Sequence, residues 1–148
     1  MKLSSKGRYG VRALFDIAFY NEGGPTQIRE IAERQLIPAR VLEQIFQDLK
    51  RAGIIGSKRG PRGGYHLAKA PAEIRVGDVI RALEGPTLVL QEEARSRRPS
   101  PDPTASVFED IARTVERCFD AVTIADVCDR GLSLGVRKKS RERSSYVI

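Results

Sequence analysis

Histidine occurs once in this 148-residue chain, cysteine twice, methionine once and tryptophan not at all. Two thiols alone cannot complete a structural zinc or cluster site. The lone His66 has no Ser/Asp or Cys constellation near it in the sequence, so nothing points to an enzyme. No apolar run approaches the ~18 residues of a membrane span. The first ten residues, MKLSSKGRYG, carry no apolar segment before a cleavage site. A cytoplasmic protein is therefore expected, and there Cys118 and Cys128 do not read as a disulfide. Acids are also in short supply: 19 Asp and Glu face 26 Lys and Arg, a formal net charge of +7. That excess suits a polyanionic or acidic partner. Part of it is local, because residues 137–143 hold five cations and one acid, a net +4.

What is present is mostly helical periodicity. In residues 5–20, Val11, Leu14, Phe15 and Ala18 recur at the i, i+3, i+4, i+7 spacing of an amphipathic helix. Thr26 reads as the N-cap of a second helix, 27–35, with Ile28, Ile31 and Ala32 turned inward. After a brief turn at Leu36 and Ile37, Pro38 suits the first turn of a third helix, 38–52. That helix buries Val41, Leu42, Ile45 and Leu49 and exposes Arg40, Glu43, Gln44, Gln47, Asp48, Lys50 and Arg51, with Gly53 closing it. Val76–Glu84 reads as a short helix. The polar, proline-rich stretch 91–103 reads as a mobile loop, and Ser106 with Glu109 has capping-box spacing to open a long helix. Its apolar residues, Phe108, Ile111, Val115, Cys118 and Val122, step by 3, 4, 3, 4 as in a heptad seam. Thr123 and Asp126 repeat the cap spacing, so a break and a last short helix to Gly131 are expected, then a disordered tail.

Between the third helix and the next lies SKRGPRGGYHL, residues 57–67, with three cations, three glycines and a proline. Apolar Ile54-Ile55 and Tyr65-His66-Leu67 flank it, so it reads as the turn of a β-hairpin. A phosphate-cradling glycine loop would need a helix directly after the glycines, and a strand follows instead. Two short helices, a tight turn and a basic hairpin are the order of a winged helix-turn-helix. Arg40, Glu43, Gln44 and Gln47 would then face base edges in a major groove, where Arg pairs with guanine, Gln with adenine and Glu with cytosine N4. Ser57, Lys58, Arg59 and Arg62 would lie along a ribbon able to cross a phosphate strand and to place an Arg in a narrow minor groove. An ordinary solvated helix face and a basic turn are the plainer alternative for each element alone. The seam at 108–122 packs either on its own domain or on a twin, and twofold pairing would read a palindrome.

The stretches MKLSSKGRYGVRAL, IREIAERQLIPARVLEQIFQDLKRAGII and SKRGPRGGYHLAKAPAEIRVGDVIRALEG, with VTIADV further on, resemble the Rrf2 family of bacterial winged-helix transcription regulators. That family includes iron–sulfur cluster, nitric-oxide and cysteine-metabolism regulators. The resemblance implies a mainly α fold with a small β-hairpin and a homodimer paired through the long C-terminal helix. It divides the chain into a DNA-binding domain 1–85, a loop 86–103 at the sensor position, dimerisation helices 104–131 and a basic tail 132–148. It further implies that Glu43 and Gln44 read bases, that Arg59 enters the minor groove, and that Lys6 and Tyr9 lie near the DNA backbone. Arg40 stands where relatives often carry a smaller residue, and Leu36 replaces a usual glycine, with a small strain expected in the turn.

The sensor departs most from the family. Cluster-binding relatives carry three cysteines before the long helix, where this chain has EEARSRRPSPDP. At the N-terminal positions that add a ligand in some relatives stand Arg8 and Arg12. No iron–sulfur cluster or other metal is therefore expected. The expected function is a clusterless, dimeric, sequence-specific repressor of palindromic operators, answering to a partner protein, a small molecule or a thiol. The competing reading is a nonspecific architectural or RNA-binding protein, for which Glu43 would serve no purpose.

Overall fold

The computed structural model describes residues 3–86 and 101–138. The chain runs α1 (Ser5–Asn21), α2 (Ile28–Gln35), α3 (Ala39–Arg51), β1 (Ile55–Lys58), β2 (Gly64–Leu67), a 3₁₀ turn (Pro71–Glu73), α4 (Val76–Glu84), α5 (Pro103–Asp120) and α6 (Ile124–Ser133). The two strands pair antiparallel with Ile55 opposite Leu67 and Lys58 opposite Gly64. Mainly helical with one small hairpin, this is the expected winged helix-turn-helix arrangement. Of the expected mobile loop and tail, residues 87–100 and 139–148 lie outside the described residues.

The core is built where the apolar faces of α1, α2 and α3 converge. Leu14, Ile17, Ile31, Leu42, Ile45, Phe46 and Leu49 are essentially inaccessible. Each such side chain contributes about 2 kcal/mol by leaving water. The buried face of α1 is wider than its apolar spacing suggests, because Ala13, Ile17 and Phe19 join it while Val11 and Phe15 stay half-exposed. Helix α4 lies close against α1 through Gly10, where a Cβ would stand 2.2 Å from Leu83 Cδ1. Helix α6 returns to the same core: Ile124 is fully buried, and its N–H donates to Ile74 O at 2.9 Å.

Two expected caps and one expected helix start differ in the structure. Thr26 does not cap α2, whose N-cap is Gln27. Its backbone instead pairs with Tyr65 in both directions, at 2.8 and 2.9 Å, and its buried hydroxyl donates to Gly24 O. Pro38 sits one residue earlier than expected, at the N-cap of α3 with extended ψ of 134°. The long helix begins before Ser106, because Asp102 accepts from the N–H groups of Thr104 and Ala105 and Pro103 occupies the first turn. Ser106 is interior to α5. The Thr123–Asp126 box is formed as expected, with each side chain bonded to the other's backbone N–H.

Candidate nucleic-acid interface

Helix α3 is strongly two-sided. Leu42, Ile45, Phe46 and Leu49 anchor one side in the core, so Arg40, Glu43, Gln44 and Gln47 must point outward, and all four are exposed. None of the four side chains makes a hydrogen bond or ion pair with another described residue. This is informative because the Arg40–Glu43 spacing permits pairing. Elsewhere Arg29–Glu33, Asp48–Arg51 and Arg81–Asp78 do pair at such spacings. The stripe at 40, 43, 44 and 47 thus presents free donors and acceptors along the first two turns of α3.

The C-terminal half of the helix is different. Asp48, expected to be exposed, is half-buried and holds Lys6 Nζ at 2.6 Å and Arg51 Nη1 at 3.4 Å. Lys50 Nζ donates to Ser57 Oγ at 2.7 Å, tying α3 to the first strand of the hairpin. Lys6 and Ser57 are therefore already engaged within the chain, whereas Lys58, Arg59 and Arg62 are exposed and unpaired among the described residues. Tyr9 is half-buried, with the Arg12 guanidinium 5.5 Å from its ring centroid.

The hairpin is held rather than loosely hung. The Tyr65 ring packs on Phe46 of α3 with centroids 4.7 Å apart, and Tyr65 also makes the two-way bridge to Thr26. At Gly64, φ is +143° and a Cβ would come within 2.5 Å of Thr26 O, so only glycine allows this approach. At the tip, the Gly63 N–H closes a turn on Gly60 O at 2.9 Å. Arg59 to Arg62 are thereby projected from a base fixed to both α3 and the α1–α2 connection. His66 is half-buried on the returning strand, lies across Gly56 and leaves its Nδ1 buried without a partner among the described residues.

Sequence reasoning missed what ties the end of α2 to α1 just before the turn into α3. Asp16 on α1 is fully buried and accepts from Arg34 Nη2 at 2.7 Å, Arg34 Nε at 3.0 Å and Gln35 Nε2 at 2.8 Å. The hydrogen bond to Asp16 holds the Arg34 guanidinium pKa above its ordinary value, and that guanidinium also lies 4.8 Å from the Tyr20 ring centroid. A charge pattern of i, i+18 leaves no local signature. The turn that follows is strained as expected: Leu36 has φ +54° and ψ +45°.

Among the described residues, the seam of α5 is largely uncovered. Phe108, Ile111, Cys118 and Val122 are exposed and Val115 is half-buried, and no residue of α5 is fully buried. Cys128 on α6 is half-buried against the core, and burial, with the charge of Asp129 second, pushes its thiol pKa up. Among the described residues no helix is long and apolar enough to cross a membrane.

Known proteins share this arrangement. The Rrf2 family model, described as an iron-dependent transcriptional regulator, matches residues 3–130. The HTH-type transcriptional regulator IscR of Aliivibrio salmonicida is 50% identical over 84 residues, which are 57% of this chain and 50% of that protein. The solved structure of T. potens IscR is 40% identical, with a TM-score of 0.74 over 88% of each chain. That of CymR, the global cysteine regulator of B. subtilis, is 34% identical, with a TM-score of 0.73 over 88% of this chain and 98% of that one.

Proposed function

Since the chain belongs to the Rrf2 family of DNA-binding transcriptional regulators, we propose that it is a homodimeric repressor that occupies imperfect palindromic operators. The carrying observation is the unpaired polar stripe Arg40, Glu43, Gln44 and Gln47 on a rigidly seated helix, beside a hairpin tip bearing Arg59 and Arg62. The stripe suits base edges in the major groove. Arg59 enters the adjacent minor groove, while Lys58, Arg62, Lys6, Tyr9 and Ser57 border the phosphates. Two copies join through Phe108, Ile111, Val115, Cys118 and Val122, whose exposure in the single chain leaves a continuous apolar face to cover. The protein works in the cytoplasm and represses by occluding a promoter.

The iron in the family's description does not fit the donors of this chain. Its only two thiols sit on different helices, Cys118 exposed on α5 and Cys128 half-buried on α6. The stretch from Gln91 to Pro103 contains no cysteine or histidine. We therefore read the protein as a clusterless member that answers to a partner protein, a small molecule or a thiol reaction. Anaerobic reconstitution with iron and sulfide is expected to leave it colourless, and a stoichiometric bound cluster would overturn this.

The binding reading is tested by titrating purified protein with a selected palindromic DNA and with mixed-sequence DNA over a range of salt. A large preference for the palindrome that survives raised salt is expected. Equal affinity for both, with a steep salt slope, would replace the regulator by a nonspecific nucleic-acid binder.

A further inference from the structure

Helix α5 buries none of its residues completely, yet one guanidinium pins it to α4. Arg81 Nη1 donates to Glu116 Oε2 at 2.5 Å, and Nη2 donates to Asp120 Oδ1 at 2.6 Å and to Asp78 Oδ1 at 3.1 Å. Glu116 and Asp120 are one turn apart on α5, on the face turned away from the seam Phe108, Ile111, Val115, Cys118 and Val122. Two further contacts fix the same end. Asp120 Oδ1 would stand 1.9 Å from a Cβ at Gly77, and the Val76 N–H donates to Val122 O at 2.8 Å. Helix α4 is itself locked to α1: Glu84 Oε1 accepts from the Gly7 N–H at 3.1 Å and from the Ser4 hydroxyl, and Leu83 packs on Gly10. One arginine thus ties the body that carries α3 to the helix that presents the seam.

We propose that Arg81 is a positioning residue that sets the distance between the two recognition helices of a dimer, and with it the half-site spacing the dimer accepts. This rests on the dimeric operator reading above. Arg81 needs no contact with DNA for the role. A recognition helix can read its half-site whatever the direction of α5, whereas two linked helices can read two half-sites only at the separation α5 imposes. Simultaneous engagement multiplies affinity, and a mismatched span forfeits that gain. Loss of the clamp should therefore broaden the accepted spacings and weaken the preferred one, leaving each half-site interaction as it was.

The test uses the full chain and four DNAs: one half-site, the selected operator, and the operator with its spacer shortened or lengthened by a base pair. Wild type should prefer the selected spacing by about tenfold or more. Arg81→Met should lose most of that preference, bind the single half-site as wild type does, and remain a dimer in sedimentation. The double variant E116A/D120A removes the clamp from the other side without touching the DNA-binding body, and it should reproduce the change even if Arg81→Met folds poorly. Retention of the wild-type spacing profile by a folded, dimeric clamp variant would overturn the proposal. A wild type that is monomeric, or indifferent to spacing, would instead overturn the dimeric operator reading and the proposal with it.

Discussion

Replacing Leu36 by glycine should stabilise the protein, although it deletes a large apolar side chain. Leu36 closes α2 in the left-handed conformation, with φ +54°, and its side chain is 86% exposed. A residue with a Cβ pays about 1–2 kcal/mol to hold that conformation. Glycine holds it freely but returns about 0.5–1 kcal/mol through its extra freedom in the unfolded chain. Almost no burial is lost, because Ile37, at 2% exposure, is the residue that plugs the core at this turn. The balance is a gain of about 0.5–1 kcal/mol, which for a chain of this size raises Tm by roughly 1–4 °C. Leu36→Ala is the control: it trims the exposed side chain and keeps the Cβ, so it should melt near wild type. Thermal and urea melts of the three proteins decide the matter. If Leu36→Gly melts at or below Leu36→Ala, the left-handed strain is not what this position contributes.

Asp16→Ala should cost about 3 kcal/mol in urea unfolding, toward the lower end for a broken buried pair because the Arg34 side chain keeps 31% exposure and can rehydrate. Arg59→Ala should weaken operator binding by about 1–3 kcal/mol in a quantitative shift titration, with the melting temperature unchanged. Glu43→Ala should instead relax the preference at one base pair of a random-sequence selection, with little loss of overall affinity. For Cys128, the folded thiol pKa is raised by burial, so its stabilising effect is complete below the pH at which an unfolded thiol ionises and is lost as pH climbs through the folded value. Urea midpoints of wild type should therefore fall more steeply from neutral to alkaline pH than those of Cys128→Ala.

Local chemistry was legible and distant chemistry was not. Val76–Glu84 is bounded in the structure as its composition suggests, and the Thr123–Asp126 box is formed, because both signals lie within a few residues. The seam of α5 could be read from its 3, 4 spacing, though spacing alone does not say what covers it. Thr26 carried the mark of a cap, but its partner is Tyr65 on a strand that the chain reaches only after α3. The Ser106–Glu109 spacing competed with a better signal, Asp102 before Pro103, in which an aspartate cap precedes the residue best suited to a helix's first position. In the candidate interface, the outward face of α3 followed from periodicity. The engagement of Lys6 by Asp48, and the pairing of α1 with α2 through Asp16 and Arg34, depend on helices separated in sequence and leave no mark in either one.

The return of α6 to the core bears on how the chain is made. Ile124 fills a fully buried site beside Ile74, and Gly131 lies against the rings of Phe15 and Phe19. A nascent chain released only as far as Pro86 therefore has its recognition helix and hairpin but an open wall along α1. The wall closes after residues 124–131 have left the ribosome, by which point the whole apolar seam of α5 has already emerged. Completion of the core and emergence of the exposed α5 seam are thus tied to the same late moment of synthesis, and a transcript cut short after α4 would yield a product with neither.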